Sequence, residues 1–336
     1  MRPEAKANLS TQTIAVADRP RWPQRLLRLV ILYAVVPSVS VILIMALFQR
    51  RLMYQPSVAR SLQVAIAGLD PQRVLDVQIA APEGAILRGW LLKASQPEGL
   101  ASAPSGRKST SESLVPLPAR QDVRHPPLVL YFPGNAGNRF ERRRDLEEIA
   151  SCGCDVLIFD YRGYGDSSGA PSETRLSADA RLVWSFAQES LGYPPEQIII
   201  FGESLGGAVA LSLWSEESRT APQPAALILN ATFASMSQVV AWHYPWFPFR
   251  LVLLDRWPSI QRIGRVSVPL TVFHGTADEI VPVEQARELA RAAAGARLIE
   301  IVGGQHNGIP MHQLRQELLR VFPDPGASEP IPAPGD

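Results

Sequence analysis

The chain has 336 residues, 46% of them hydrophobic, which is enough for one large globular core and too apolar for a disordered or fibrous protein. Its net charge is +1, yet the first 60 residues carry nine Lys and Arg against two acidic residues, so the remainder is acidic overall. That remainder lacks the clustered basic charge that phosphate backbones require, which excludes nucleic acid as its partner.

Residues 1–28 read as a basic N-terminal segment. Residues 29–48, LVILYAVVPSVSVILIMALF, follow without a single charge. As a helix at about 1.5 Å per residue this stretch spans roughly 30 Å, the hydrocarbon thickness of a bilayer. Pro37 argues against a buried helix of a soluble protein, since membrane-spanning helices tolerate proline better. A cleaved signal peptide has a shorter apolar run and a small-residue cleavage site, whereas this run ends at FQRRLMYQP. The expectation is one uncleaved transmembrane anchor. Arg19, Arg21, Arg25 and Arg28 precede it while Arg50, Arg51 and Arg60 follow it. The positive-inside rule then puts the N-terminus in the cytoplasm and the large domain on the extracytoplasmic side.

The domain expected over 49–322 opens with two partly alternating runs around Pro82, Glu83 and Gly84, a hairpin signal. Residues 95–127 are rich in Ser, Pro, Ala and charge without apolar periodicity and read as a flexible insertion. Continuous apolar runs then recur at 127–132, 154–160, 197–202, 225–231, 269–275 and 296–304, as expected for strands covered on both faces. Helices are expected to begin near Asn138, Glu173, Ser204, Val283 and Ile309. The alternation implies an α/β fold, a mostly parallel sheet with helices on both faces. Cys152 and Cys154 in SCGCDV make neither a disulfide framework nor a zinc spacing and read as small residues between a helix and a strand. Residues 232–266 are too aromatic and proline-rich for a simple crossover helix and read as a helical excursion or cap; 323–336 read as a disordered tail.

Chemistry is concentrated at the expected strand ends. In IIIFGESLGGAVALSL an apolar strand gives way to an alanine-rich helix at Ser204, with Gly202 and Gly206 on either side. Ligands of parallel sheets bind beyond the carboxyl ends of the strands, and a serine on a sharp strand-to-helix turn projects its hydroxyl there. The spacing G-x-S-x-G alone is a weak signal; the strand before it and the helix after it are the context the motif needs. A serine nucleophile needs a base, and the base needs a carboxylate to fix its tautomer. PLTVFHGTADEIVP puts Asp278 after one buried strand, and ARLIEIVGGQHNGIP puts His306 after the next. Glu279 and Asp255 are rivals of Asp278; His125, His243, His274 and His312 are rivals of His306, with His274 read as hydrogen-bonding near its loop. Two donors for an oxyanion are expected at the backbone N–H of Leu205 and, in FPGNAGN after the first buried strand, at that of Asn135, with Ala136 as alternative. The same glycines do not make a phosphate loop, since no Lys-Ser/Thr follows.

With FGESLGGAVA, FPGNAGN, FDYRGYGDSSG, FHGTADEIVPVEQA and GGQHNG in this order, the chain resembles the α/β-hydrolase superfamily over roughly residues 48 to 322. It is most similar to the membrane-anchored α/β-hydrolase-domain serine hydrolases, whose members carry a basic-flanked span, a motif like QRRLMYQP and H-G-N-A-G-N. The resemblance implies ester, thioester or lipid-ester substrates, as in depalmitoylases and lysophospholipid lipases. It also implies Ser204 as nucleophile, Asp278 as acid, His306 as base, and Asn135 with Leu205 as the oxyanion pair. DYRGYGDSSG is expected to line the site, with Asp160 and Arg162 structural. Pro133 stands where a histidine usually precedes the oxyanion loop, and Gly308 where an acid often follows the His-Asn pair.

The expected protein is a membrane-anchored serine hydrolase that cleaves carboxylic ester or thioester bonds through an acyl-enzyme, without cofactor or metal. Its partners would be the membrane and a small-molecule or lipid-like acyl substrate. The competing readings are a peptidase of the same fold and a catalytically inactive binding protein that keeps it.

Overall fold

The computed structural model describes residues 22–95, 126–216, 223–306 and 309–322. All but the ends of the 95–127 insertion, His125 and the 323–336 tail lie outside the described residues. The chain divides into two compact units, residues 1–45 and 46–336.

Helix α1 (Trp22–Val30) passes through one π turn, Ile31–Val35, into α2 (Val36–Met53). The wide turn has a local cause. Pro37 has no N–H, and in a regular α-turn its ring would press on the carbonyl of Tyr33, so the Val36 N–H closes five residues back, onto Ile31. By length and composition, Leu26–Met53 suffices to cross a bilayer.

The second unit takes up the chain in the last turns of α2. There follow β1 (Gln55–Pro56), α3 (Val64–Ala67), β2 (Val74–Ala80), β3 (Ile86–Leu92), β4 (Leu128–Phe132), β5 (Ala136–Gly137) and α4 (Arg143–Ala150). Next come β6 (Asp155–Phe159), α5 (Glu173–Ser185), β7 (Ile198–Glu203), α6 (Leu205–Leu211) and β8 (Ala226–Asn230). Residues 232–266 hold three short helices, α7 (Met236–His243), α8 (Phe249–Val252) and α9 (Ser259–Ile263). The chain closes with β9 (Leu270–Gly275), α10 (Val283–Ala292), β10 (Arg297–Ile301) and α11 (Met311–Val321).

The chain has the α/β-hydrolase fold. Eight strands make one sheet in the order β10-β9-β8-β7-β4-β6-β3-β2. All pairings are parallel except those of β3 with β2 and β6, so β3 alone runs against the rest. The strands alternate between two cores, which is why their sequences read as unbroken apolar runs. Leu128, Leu130, Ile198, Ile200, Leu227 and Leu229 pack with α5, α6 and α10 on one face. Val129, Val156, Ile158, Ile199 and Ile228 pack with α4 and α11 on the other. Each fully buried aliphatic side chain contributes about 1.5–3 kcal/mol.

Two expected details differ or sharpen. The helix expected near Asn138 begins at Arg143, because the Asn138 carboxamide accepts the Phe140 N–H at 3.0 Å and the Arg139 N–H is drawn to Asp160 at 2.6 Å. Asp160 and Arg162 are both buried and paired: Asp160 meets the Arg139 guanidinium, and Arg162 donates twice to Asp179.

Ile200, fully buried in central strand β7, tests the packing. Ile200→Ala is expected to lower the unfolding free energy of the detergent-solubilised protein by about 2–5 kcal/mol in denaturant titration. A change below about 0.5 kcal/mol would place the side chain outside the core.

Candidate active site

Between β7 and α6 the chain turns on one residue. Ser204 sits at φ 51°, ψ −113°, a region that costs a non-glycine residue of order 1–3 kcal/mol. The turn is held because the Ser204 N–H donates to the Asn230 carbonyl at 2.7 Å and the Thr232 hydroxyl reaches the Ser204 carbonyl at 3.3 Å. Three glycines clear the space around it. A Cβ on Gly202 would lie 2.6 Å from the Gly207 Cα, and one on Gly206 would lie 1.9 Å from the Phe132 carbonyl oxygen. One on Gly207 would strike the Thr232 side chain. Helix α6 therefore packs against the ends of β4 and β8 only because these positions lack side chains.

Asp278, after β9, and His306, after β10, meet Ser204 at this edge. His306 Nε2 lies 2.9 Å from Ser204 Oγ, and His306 Nδ1 lies 2.7 Å from Asp278 Oδ2. A carboxylate only accepts, so Nδ1 carries the proton and the Nε2 lone pair receives the serine hydroxyl. The Asp278 side chain is buried, and its other oxygen accepts the Ile280 and Val281 N–H groups at 2.9 and 2.8 Å. Burial alone would raise its carboxyl. Hydrogen bonds from His274, His306 and Val281 outweigh burial and hold it well below the usual carboxylate range. This row of donors and acceptors can move a proton from hydroxyl to imidazole and stabilise the imidazolium that results.

The rivals stand elsewhere. Glu279 points to solvent, and Asp255 pairs with Arg50 and Tyr54. His243 contacts the Ile280 carbonyl at 2.9 Å, and exposed His312 lies on α11. His274 is fully buried; its Nε2 lies 2.7 Å from the Val281 carbonyl and 3.2 Å from Asp278 Oδ2. The shorter contact is the main hydrogen bond and the longer one its second branch, so His274 braces the carboxylate. The sequence placed His274 near its loop but not on Asp278; the visible signal was a His-Gly pair closing a strand four residues before the acid.

Leu205 opens α6, so its N–H has no partner within the helix. Asn135 lies in the loop after β4, whose end adjoins that of β7. Sequence reasoning missed what supports this loop. The Tyr161 hydroxyl donates to the Pro133 carbonyl at 2.7 Å, and Tyr164 donates to Asn135 Oδ1 at 3.1 Å. Glu203, next to the serine, accepts from Tyr131 at 2.5 Å and from Arg142 at 3.1 and 3.2 Å. Asp145, half-buried and beside that carboxylate, is pushed up to about 6 by desolvation and by the neighbouring charge. FDYRGYGDSSG thus supplies two tyrosines beneath the Asn135 loop.

Residues 127–258 match the family described as the alpha/beta hydrolase fold. The chain is 38% identical over 284 residues to the uncharacterized protein Rv2307c of Mycobacterium tuberculosis, covering 84% of this chain and 89% of that one. It is 32% identical over 186 residues to lysophosphatidylserine lipase ABHD12 of Danio rerio, and there it spans only 48% of the relative's length. Among solved structures it is similar to the esterase Pf2001 of Pyrococcus furiosus, with a TM-score of 0.56 at 15% identity, over 80% of this chain and 97% of that one. At that identity the likeness concerns the fold.

The depressed Asp278 carboxyl has a consequence for pH. Its folded value lies below its unfolded one, so its contribution to stability is complete above about pH 4 and is lost only as pH falls through the lower folded value. The carboxyl ¹³C resonance of Asp278, assigned by comparison with Asp278→Asn, is expected to titrate well below the ordinary carboxylate range. A midpoint at or above 4 would show that the two histidines do not hold it.

Proposed function

This chain belongs to the α/β-hydrolase fold family, and from that premise we propose that it is a membrane-anchored serine hydrolase acting on carboxylic esters or thioesters through an acyl-enzyme. Hydrolase activity in general follows from the family; the serine mechanism rests on one observation, the unbroken row Ser204 Oγ, His306 and Asp278 at 2.9 and 2.7 Å. His306 takes the Ser204 proton as Oγ attacks the acyl carbon. The N–H groups of Leu205 and Asn135 receive the developing oxyanion, at about 3–4 kcal/mol per donor. His306 then protonates the leaving group, activates water for attack on the acyl-serine and returns the proton to Ser204. No step calls for a metal or a cofactor.

In this reading residues 29–48 cross the bilayer, residues 49–322 form the hydrolase domain, and residues 232–266 form a cap over the site. The flanking arginines favour a cytoplasmic N-terminus and an extracytoplasmic domain. The excursion presents Trp242, Trp246, Leu251 and Leu254 to solvent, Trp246 at 91% exposure. Such a surface suits amphipathic substrates, as does the likeness to a lysophosphatidylserine lipase. Acyl esters of lipid-like alcohols are therefore the favoured substrate class.

The test is reaction of the purified full chain with a fluorophosphonate probe, followed by a panel of acyl esters and thioesters of increasing chain length. Labelling and turnover are expected for the wild type, with kcat/KM lower by at least about 1,000-fold in Ser204→Ala and His306→Ala. Labelling that persists in Ser204→Ala would remove the proposed nucleophile.

A further inference from the structure

An oxyanion site works only if its donors are fixed before the charge develops, and loops hold still only when something holds them. The loop Pro133 to Asn138 carries one proposed donor, the Asn135 N–H, and is gripped mainly by the five residues that leave helix α2. The Asn135 carboxamide donates through Nδ2 to the Met53 carbonyl at 2.5 Å. Its oxygen accepts from the Tyr164 hydroxyl at 3.1 Å. Strand β1 then pairs in parallel with β5, Gln55 beside Ala136 and Pro56 beside Gly137. The Ser57 N–H reaches the Gly137 carbonyl at 3.3 Å, and Asn138 Nδ2 donates to the Ser57 carbonyl at 3.0 Å. Both asparagines of NAGN thus donate their carboxamide N–H groups to the same short segment, MYQPS.

That segment is itself immobilised. Tyr54 is buried and touches Asp255 and Trp257 through its hydroxyl, at 3.1 and 3.3 Å. Arg50 makes a two-pronged contact with Asp255 at 2.9 and 3.1 Å. Gln49 donates to the Val252 carbonyl at 3.2 Å and accepts the Leu254 N–H at 2.7 Å. The Ser57 carbonyl also receives the Gly165 N–H at 3.0 Å.

We propose that Asn135, Asn138 and Tyr164 are positioning residues that lock the loop bearing the oxyanion donor to the chain leaving α2, so that residues 53–57 are part of the reaction machinery and not only a tether. The inference rests on the proposed serine mechanism. It also assigns the donor within Asn135. The side-chain nitrogen is engaged by Met53 and the oxygen by Tyr164, which leaves the backbone N–H to face a reacting carbonyl. A displacement of about 1 Å in such a donor can lower the rate about 100-fold without altering substrate contacts, so the effect belongs in kcat.

The experiment compares full-length wild type, Asn135→Ala, Asn138→Asp, Tyr164→Phe and, as a control for stability alone, Ile200→Ala. Each is assayed with an ester and with a trifluoromethyl ketone that forms a tetrahedral adduct. Asn135→Ala keeps the backbone N–H but drops both side-chain bonds. Its kcat is expected to fall about 10- to 100-fold with KM within about 3-fold, and its affinity for the ketone to fall in proportion to kcat/KM. Tyr164→Phe, which loses one hydrogen bond, and Asn138→Asp, which keeps its turn to Phe140 but loses the donor to Ser57, should show smaller losses of the same pattern. Ile200→Ala should lower Tm and leave kcat and ketone affinity at the wild-type level. Wild-type kcat and ketone affinity in all three loop variants would overturn the inference. Losses that follow Tm equally in Ile200→Ala would do the same. An inactive wild type would overturn the serine mechanism and this inference with it, whereas an active wild type with indifferent variants overturns the inference alone.

Discussion

The site depends on one backbone constraint, the positive φ of Ser204 at the junction of β7 and α6. An L-residue adopts that conformation only if its surroundings over-determine it. Here the Asn230 carbonyl fixes the serine N–H, and bare glycines at 202, 206 and 207 let the helix settle onto β4 and β8. A single methyl at Gly206 would meet the Phe132 carbonyl, which begins the loop proposed to bear the second oxyanion donor. The Ser204 turn and the Asn135 loop therefore meet at the same contact. The sheet delivers the remaining groups: β9 and β10 are neighbours, so the loops after them bring Asp278 and His306 to the same edge.

Much of this was legible in the sequence because the relevant forces are local. The continuous runs of Val, Ile and Leu record burial on two faces, and they locate the strands to within a residue or two, except that the last, read as 296–304, ends at Ile301. Ser204, Asp278 and His306 were readable because each follows such a run, where a parallel sheet gathers its ligands. The failures have a common physical origin in partners remote along the chain. The start of α4 shifted from Asn138 to Arg143 because Asp160 captures the Arg139 N–H. His274 on Asp278, Tyr161 on Pro133 and Tyr164 on Asn135 are tertiary hydrogen bonds with no periodic signature.

The QRRLMYQP segment shows the same division. From sequence it marks the basic end of an apolar run and a motif of the family the chain resembles, with no sign of what it packs against. In the fold it is a connector anchored by one buried side chain: Tyr54 is 2% exposed, and the two residues after it extend the edge of the NAGN loop as a short parallel ladder. The last turns of α2 thus belong with the catalytic domain in packing as well as in sequence order. The excursion 232–266 contributes to this joint through Val252, Leu254 and Asp255 while keeping Leu251 and Leu254 exposed. One surface region therefore combines the helix exit and an apolar face, which suits the lipid-like substrates proposed for this chain.

In the proposed mechanism the acyl group passes through Ser204 Oγ. The most direct test is rapid acid quenching of the protein during turnover of an ester, followed by peptide mass mapping. An adduct of the acyl mass is expected on the peptide that contains Ser204, formed and consumed at the rate of turnover. An active enzyme whose acyl group is found on another residue, or on none while hydrolysis proceeds, would contradict the mechanism.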